Sequence, residues 1–199
     1  SVSKIIFTAD EITYRFKGGT IGLHPLSFSE ESGKLIGIMG ASGSGKSTLL
    51  NILNGNYTPY SGAVTINGND IHHSRGDVSG MIGYISQDDL LIEELTVYQN
   101  LFLNAKLCFD GLSDEAIRER VDKTLISLGL YEIKDIEVGS PMNKKISGGQ
   151  RKRLNCGLEL IREPSVLFVD EPTSGLSSRD SENIMDLLKE LALKGKLIS

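Results

Sequence analysis

A short apolar run, Leu35-Ile-Gly-Ile-Met39, opens directly into Gly40-Ala41-Ser42-Gly43-Ser44-Gly45-Lys46-Ser47-Thr48. Apolar residues bounded by turn formers read as a buried central strand of a parallel sheet. From about Lys46 the pattern turns helical, with Leu49, Leu50, Ile52 and Leu53 facing inward and Gly55 placed to end the helix. Strand, glycine-rich turn and helix in that order commit the chain to an α/β architecture. The turn meets G-x-x-x-x-G-K-[ST] at Gly40, Gly45, Lys46 and Ser47. Its glycines let backbone amides converge on phosphate oxygens, and the helix N-terminus adds partial positive charge. Lys46 is expected to reach the β- and γ-phosphates, and the Ser47 hydroxyl to ligate Mg²⁺. The segment Gly40–Thr48 is therefore read as a grip for a nucleoside triphosphate.

A second apolar run, Val166-Leu-Phe-Val, ends in Asp170-Glu171-Pro172. A buried parallel strand would deliver both acids at its C-terminal tip, where open α/β sheets bind their ligands. Asp170 is expected to hold Mg²⁺ beside Ser47. Glu171 is placed to orient and deprotonate a water attacking the γ-phosphate.

Between these two elements lies Ile146-Ser147-Gly148-Gly149-Gln150. Ser147 and Gln150 satisfy a capping box, so a well-capped helix is one sufficient reading. Two adjacent glycines weaken a helix start yet let a phosphate approach its amides closely, which makes a second anion site the other reading. Lys144, Lys145, Arg151, Lys152 and Arg153 surround the turn. A solvated helix face accounts for Lys152 and Arg153.

The remaining pattern fills in the architecture. Ile5 to Phe28 alternates as strands around Gly18-Gly19, and Ala63–Ile66 with Asn69–Ile71 flank Asn67-Gly68, a type I′ hairpin signal. Ile82–Ile85 is a further strand. From about residue 90 to 161 the period becomes helical. Thr96 and Gln99 cap the helix carrying Val97, Leu101, Leu103 and Leu107, and a second helix shows Ile117, Val121, Leu125 and Leu128 before Gly129. A third helix starts near Ser147. Ile184, Leu187, Leu188 and Leu191 stripe a last one, and Leu197-Ile198 begins another strand. The expected fold is an α/β core with a mainly parallel sheet, an N-terminal antiparallel β-subdomain and an inserted α-helical subdomain, all within one domain over 1–199.

Bulk properties narrow the function classes. A net charge of −5 disfavours nucleic acid as the main partner, since phosphate backbones reward basic surfaces. No apolar run reaches the length of a bilayer span, and the N-terminus lacks a secretory pattern. Cys108 and Cys156 are widely separated and read as small buried hydrophobes in a reducing compartment. A cytosolic domain is expected, with His24, His72 and His73 on the surface or in turns.

With these motifs in order, the chain resembles the nucleotide-binding domain of ABC transporters, P-loop NTPases whose signature is Leu-Ser-Gly-Gly-Gln; Ile146 replaces the leucine here. The stretches Ile146–Arg153 and Glu171–Leu176 look most like the G subfamily, in which nucleotide and membrane domains share one chain. The resemblance implies a head-to-tail pair of domains, each ATP lying between the Walker loop of one and the signature of the other. Ser147, Gly148, Gly149 and Gln150 would then face the γ-phosphate bound by the opposite domain. Gln87 matches the glutamine that approaches Mg²⁺ and the attacking water, and Asp88 to Thr96 would transmit motion to a transmembrane domain. Phe16 aligns with the aromatic that stacks on adenine, with Tyr14 as the alternative. The implied location is the inner, cytoplasmic face of a membrane.

Two departures stand out. The family's D-loop usually ends in aspartate, whereas Ser177 follows Ser174-Gly-Leu176, with Asp180 as a partial substitute. The sequence given also stops at Ser199, within the strand expected before the switch histidine. It therefore reads as part of a longer protein, and hydrolysis is expected of the complete dimer rather than of this chain alone. A soluble ABC-type ATPase of DNA repair, translation or cluster assembly is the alternative. The roughly 60 residues from Gln87 to Ser147 carry no sustained heptads, which argues against its coiled-coil, chromosome-associated forms. A non-hydrolysing nucleotide sensor is the third reading, disfavoured by Lys46, Asp170 and Glu171.

Overall fold

Alternating apolar residues at the N-terminus pair into an antiparallel sheet. The computed structural model describes residues 5–15, 21–32, 36–40, 51–52, 59–72, 82–85, 88–164, 166–170, 175–191 and 194–198. Strands β1 (Ile5–Arg15), β2 (Ile21–Ser32), β4 (Ser61–Ile66) and β5 (Asn69–Asp70) lie in the order β2-β1-β4-β5. Ala9 opposes Val64, and both are buried. The β4–β5 turn has φ of 51° at Asn67 and 83° at Gly68, the two left-handed positions that a type I′ turn demands and the Asn-Gly pair predicts.

A second sheet is wholly parallel, in the order β6-β7-β3-β8, from β3 (Ile36–Gly40), β6 (Ile82–Ile85), β7 (Val166–Asp170) and β8 (Lys194–Ile198). β3 is bonded on both sides, to β7 and β8. This is the environment its uninterrupted apolar run predicts. Leu167, Val169 and Ile85 are buried within it. Of the helix expected after Lys46, only Asn51 and Ile52 fall among the described residues; both are helical, and Ile52 is fully buried.

The chain divides into two compact units. One comprises Ser1–Ser86, Pro164–Glu171 and Leu188–Ser199, and holds both sheets. The other comprises Gln87–Glu163 and Pro172–Leu187. In the second unit α1 (Val97–Cys108) starts at the Thr96 capping box, closed by Gln99 at 3.0 Å in both directions. Helix α2 (Asp114–Ser127) is capped by Ser113 and stops at Gly129, whose φ of 68° ends the right-handed turn. Helix α3 (Gly148–Leu160) follows a short 3₁₀ turn at Tyr131–Ile133, and α4 (Ser178–Leu191) carries buried Ile184, Leu187 and Leu188.

These helices approach closely at Gly157. A Cβ there would stand 2.6 Å from Leu128 Cδ1 and 3.4 Å from Leu101 Cδ2. Nearby, Asn104 Nδ2 donates to the Leu158 carbonyl at 2.8 Å, joining α1 to α3.

The packing defines the covered face of α1 and corrects one sequence expectation, for the cysteines. Val97, Asn100, Leu101 and Ala105 form the covered face of α1, whereas Leu103 is 43% and Leu107 88% exposed. At 100° per residue those two leucines point well away from the Val97–Leu101 stripe. Cys156 is buried but Cys108, in the last turn of α1, is exposed. Among the described residues no helix is long and apolar enough to cross a membrane.

Candidate functional site

The first cluster sits at the C-terminal edge of the parallel sheet. β3 and β7 run side by side in register, so Gly40 pairs with Asp170 at the tips of both strands. Adjacent strands lie about 4.8 Å apart. The first glycine of the phosphate loop and the first carboxylate of the acidic pair thus leave neighbouring positions at one end of the sheet. Five register pairs, from Ile36 with Val166 to Gly40 with Asp170, fix that alignment. Ala41, Ser42, Gly43, Ser44, Gly45, Lys46, Ser47 and Thr48 lie outside the described residues, as do Phe16, Gln87 and Glu171.

The second cluster, in the other unit, is fully described. Ser147 caps α3: its Oγ accepts from the Gln150 amide at 3.1 Å, and its own amide donates to Gln150 Oε1 at 2.9 Å. The expected capping box is therefore present. It engages the Ser147 and Gln150 amides and leaves those of Gly148 and Gly149 without a hydrogen bond among the described residues.

The two glycines differ in what requires them. A Cβ on Gly149 would lie 2.6 Å from Asp180 Oδ1 and 2.7 Å from its Cγ. A side chain at that position would have to push the Asp180 carboxylate aside. Among the described residues, a Cβ on Gly148 would meet nothing nearer than Leu176 Cδ2 at 3.9 Å. Glycine in a helix costs roughly 0.5–1 kcal/mol relative to alanine, and at Gly148 no neighbour among the described residues explains that cost.

The departure at Ser177 has a local explanation. Ser177 Oγ accepts from the Asp180 amide at 3.2 Å, and Ser181 N donates to the Ser177 carbonyl at 2.8 Å, so Ser177 is the N-cap of α4. Serine and aspartate are about equally good caps, and the helix start survives the exchange. Asp180, in the first turn of the same helix, lies against Gly149.

Sequence reasoning missed Arg151. It reads there as one of several basic residues round a turn, yet it is only 5% exposed. Its Nε donates to Asp89 Oδ2 at 2.7 Å, and Nη1 donates to the carbonyls of Val138 and Gly139 at 2.8 and 2.9 Å. Burial alone pushes the Asp89 carboxyl upward. The hydrogen bond and charge of Arg151, with the Leu91 amide, outweigh it and hold Asp89 below its ordinary value. Asn155, one turn further along α3, accepts from the Leu90 amide at 2.9 Å and donates to the Arg151 carbonyl at 3.1 Å.

Asn100 was missed too, although a polar residue on the apolar stripe of α1 is a usable signal. It is buried, accepts from Ile92 N at 2.8 Å, and donates to the carbonyls of Ile92 and Thr96 at 3.2 and 3.0 Å. Asp89 and Asn100 together shape the segment that follows Gln87. By contrast Lys145 stays on the surface, 3.3 Å from Glu137. His72 lies in the turn after β5, its amide bonded to Asp70 Oδ1 at 2.7 Å.

Comparison with known proteins adds to this geometry. Residues 23–174 match the sequence pattern of the ABC transporter family. ABC transporter G family member 5 of Arabidopsis thaliana is 37% identical over 185 residues, covering 93% of this chain and 27% of that protein. ABC transporter G family member 24 of Dictyostelium discoideum is 42% identical over 163 residues, covering 80% of this chain and 14% of that protein. The chain thus spans roughly a quarter or less of the length of these curated relatives. Among solved structures, cbiO1 from Clostridium perfringens, described as part of the ABC transporter complex cbiONQ, superimposes with a TM-score of 0.80. It is 32% identical, and the match covers 98% of this chain and 78% of that one.

Proposed function

The chain belongs to the ABC transporter family, and from that premise we propose that it is the ATP-binding and ATP-hydrolysing motor domain of a G-type transporter. Head-to-tail pairing and hydrolysis would drive a substrate across a membrane. The observation that carries this reading is the register of Gly40 with Asp170, which aligns a phosphate loop with an acidic strand tip. The whole of 1–199 is then one domain, with about 90–161 as its helical subdomain.

Gly40–Thr48 encloses the phosphates, Lys46 neutralises their β- and γ-oxygens, and Phe16 stacks on the adenine. Ser47, Gln87 and Asp170 form an all-oxygen donor set, suited to a hard cation such as Mg²⁺ and poorly suited to a thiophilic metal. When bound there, Mg²⁺ offsets charge on the β- and γ-phosphates. Glu171 takes a proton from the attacking water as the bond from the γ-phosphorus to the bridging oxygen breaks, giving ADP and phosphate. The second domain contributes its Ser147, Gly148 and Gly149 to the γ-phosphate, which is where two amides at a helix start, unbonded among the described residues, are useful.

The partners in this reading are a second nucleotide-binding domain and a transmembrane domain on the same full-length chain, at the cytoplasmic face. The test is phosphate release by the full-length protein. Mg²⁺-dependent ATP hydrolysis that Lys46→Ala abolishes is expected; hydrolysis indifferent to Lys46→Ala would overturn the assignment.

A further inference from the structure

We propose that Asp89 and Arg151 are positioning residues that tie the segment after Gln87 to the Ser147–Gln150 turn, so that both respond to nucleotide as one piece. This rests on the motor-domain reading and adds to it a specific mechanical link. A buried ion pair is a weak source of stability, because desolvation offsets most of its attraction; its best-attested use is to fix one geometry over others. Here the geometry is over-determined. The Arg151 guanidinium holds three acceptors on two separate segments, Asp89 on one side and Val138 and Gly139 on the other. The planar fork of arginine is what allows that, and lysine could not reproduce it.

The link has a second strand. Leu90 N donates to Asn155 Oδ1, and Asn155 Nδ2 donates to the Arg151 carbonyl, so two successive residues of the segment are fastened to one face of α3. Asp89 Oδ1 also accepts from Leu91 N at 3.0 Å, which ties the carboxylate to its own turn. Arg151 directly follows Gln150, whose side chain closes the cap on Ser147. A displacement of Asp89 therefore reaches the capped turn within one residue.

Asp89→Asn is the discriminating variant. It keeps the shape and the oxygen that caps Leu91, and turns an amide N–H₂ toward Arg151 in place of the accepting oxygen. In the full-length protein it is expected to lower kcat for ATP about tenfold with KM within twofold, the pattern of an interaction that matters after binding. Hydrogen exchange supplies the direct readout in a Glu171→Gln background. With Asp89 intact, Mg-ATP protects peptides 88–95 and 147–155 together; in Asp89→Asn it protects 147–155 while 88–95 gains little.

Joint protection retained in Asp89→Asn overturns the proposal. So does a parallel loss of kcat, KM and thermal stability, which is what a merely structural bond would give. Should Asp89→Asn not fold, Arg151→Lys is read by the same two measurements. A parent protein that neither binds nor hydrolyses ATP instead refutes the motor-domain reading, and is distinguishable because it needs no variant.

Discussion

The Asp180 carboxylate in the first turn of α4 presses on Gly149 so closely that an added methyl would stand 2.6 Å from its Oδ1. Gly149→Ala must displace the Asp180 carboxylate and is therefore expected to destabilise the protein by about 1 kcal/mol, the low end of the range for overpacking. Gly148→Ala meets no close neighbour among the described residues and should leave the melting temperature unchanged or slightly raised, yet lower ATP turnover by placing a methyl before the open amides. Thermal denaturation and phosphate release on the two variants separate the glycine that packing needs from the one a ligand needs. Equal effects on both readouts would remove the distinction.

Gly157 makes a purely structural prediction. Its site is walled by Leu128 Cδ1 and Leu101 Cδ2, so Gly157→Val should cost about 2 kcal/mol by forcing α3 away from its neighbours. Pairing it with Leu128→Ala should recover part of that loss, since contacting residues are not additive. Chemical denaturation of the double-mutant cycle checks this.

Glu171→Gln is expected to retain ATP binding while slowing turnover of the complete protein about 10²–10⁴-fold, the range for loss of a general base. Single-turnover hydrolysis at an undiminished rate would take Glu171 out of that role.

Ser147→Arg replaces the cap of α3 with a bulky cation facing the proposed partner. Nucleotide affinity of the monomer should persist, while ATP-induced pairing fails. Light scattering on a hydrolysis-deficient full-length protein reads the outcome directly.

Burial pushes the Cys156 thiol up to about 11 from an ordinary 9.0. The folded state thus retains a proton that the unfolded chain loses, so stability is full below pH 9 and declines as pH rises toward 11. The loss is on the order of 2–3 kcal/mol at about 1.4 kcal/mol per pKa unit. Cys156→Ala should flatten this slope. At pH 8 a thiol reagent should label Cys108, which is exposed, and spare Cys156 until the fold is opened. Peptide mass spectrometry distinguishes the two.

Much of the fold was legible because it is written locally. Asn67-Gly68 can hardly avoid its turn, and Thr96 with Gln99 or Ser147 with Gln150 carry both halves of a cap within four residues. Strand β3 announced its burial through an apolar run with no polar alternation. What stayed hidden depends on distant partners. Arg151 looks like its basic neighbours until Asp89, 62 positions earlier, lies against it. Leu107 has a leucine's hydrophobicity but stands on a side of α1 that the described residues leave exposed. Periodicity tells which residues share a face; it does not tell which face something covers.

The pairing order of the parallel sheet has a consequence for synthesis. Among the described strands, β3 is bonded to β7 and β8, and β6 to β7, but β3 and β6 do not touch. The antiparallel sheet can close once Asp70 has left the ribosome. Among the described strands, β3 has no partner to zip against until Val166–Asp170 has emerged, more than 120 residues after Gly40. Such long-range pairing is slow to form and exposes apolar strand edges in the meantime. The nascent chain should therefore depend on chaperones most during that interval, and mutations in β7 should reduce yield before they reduce activity.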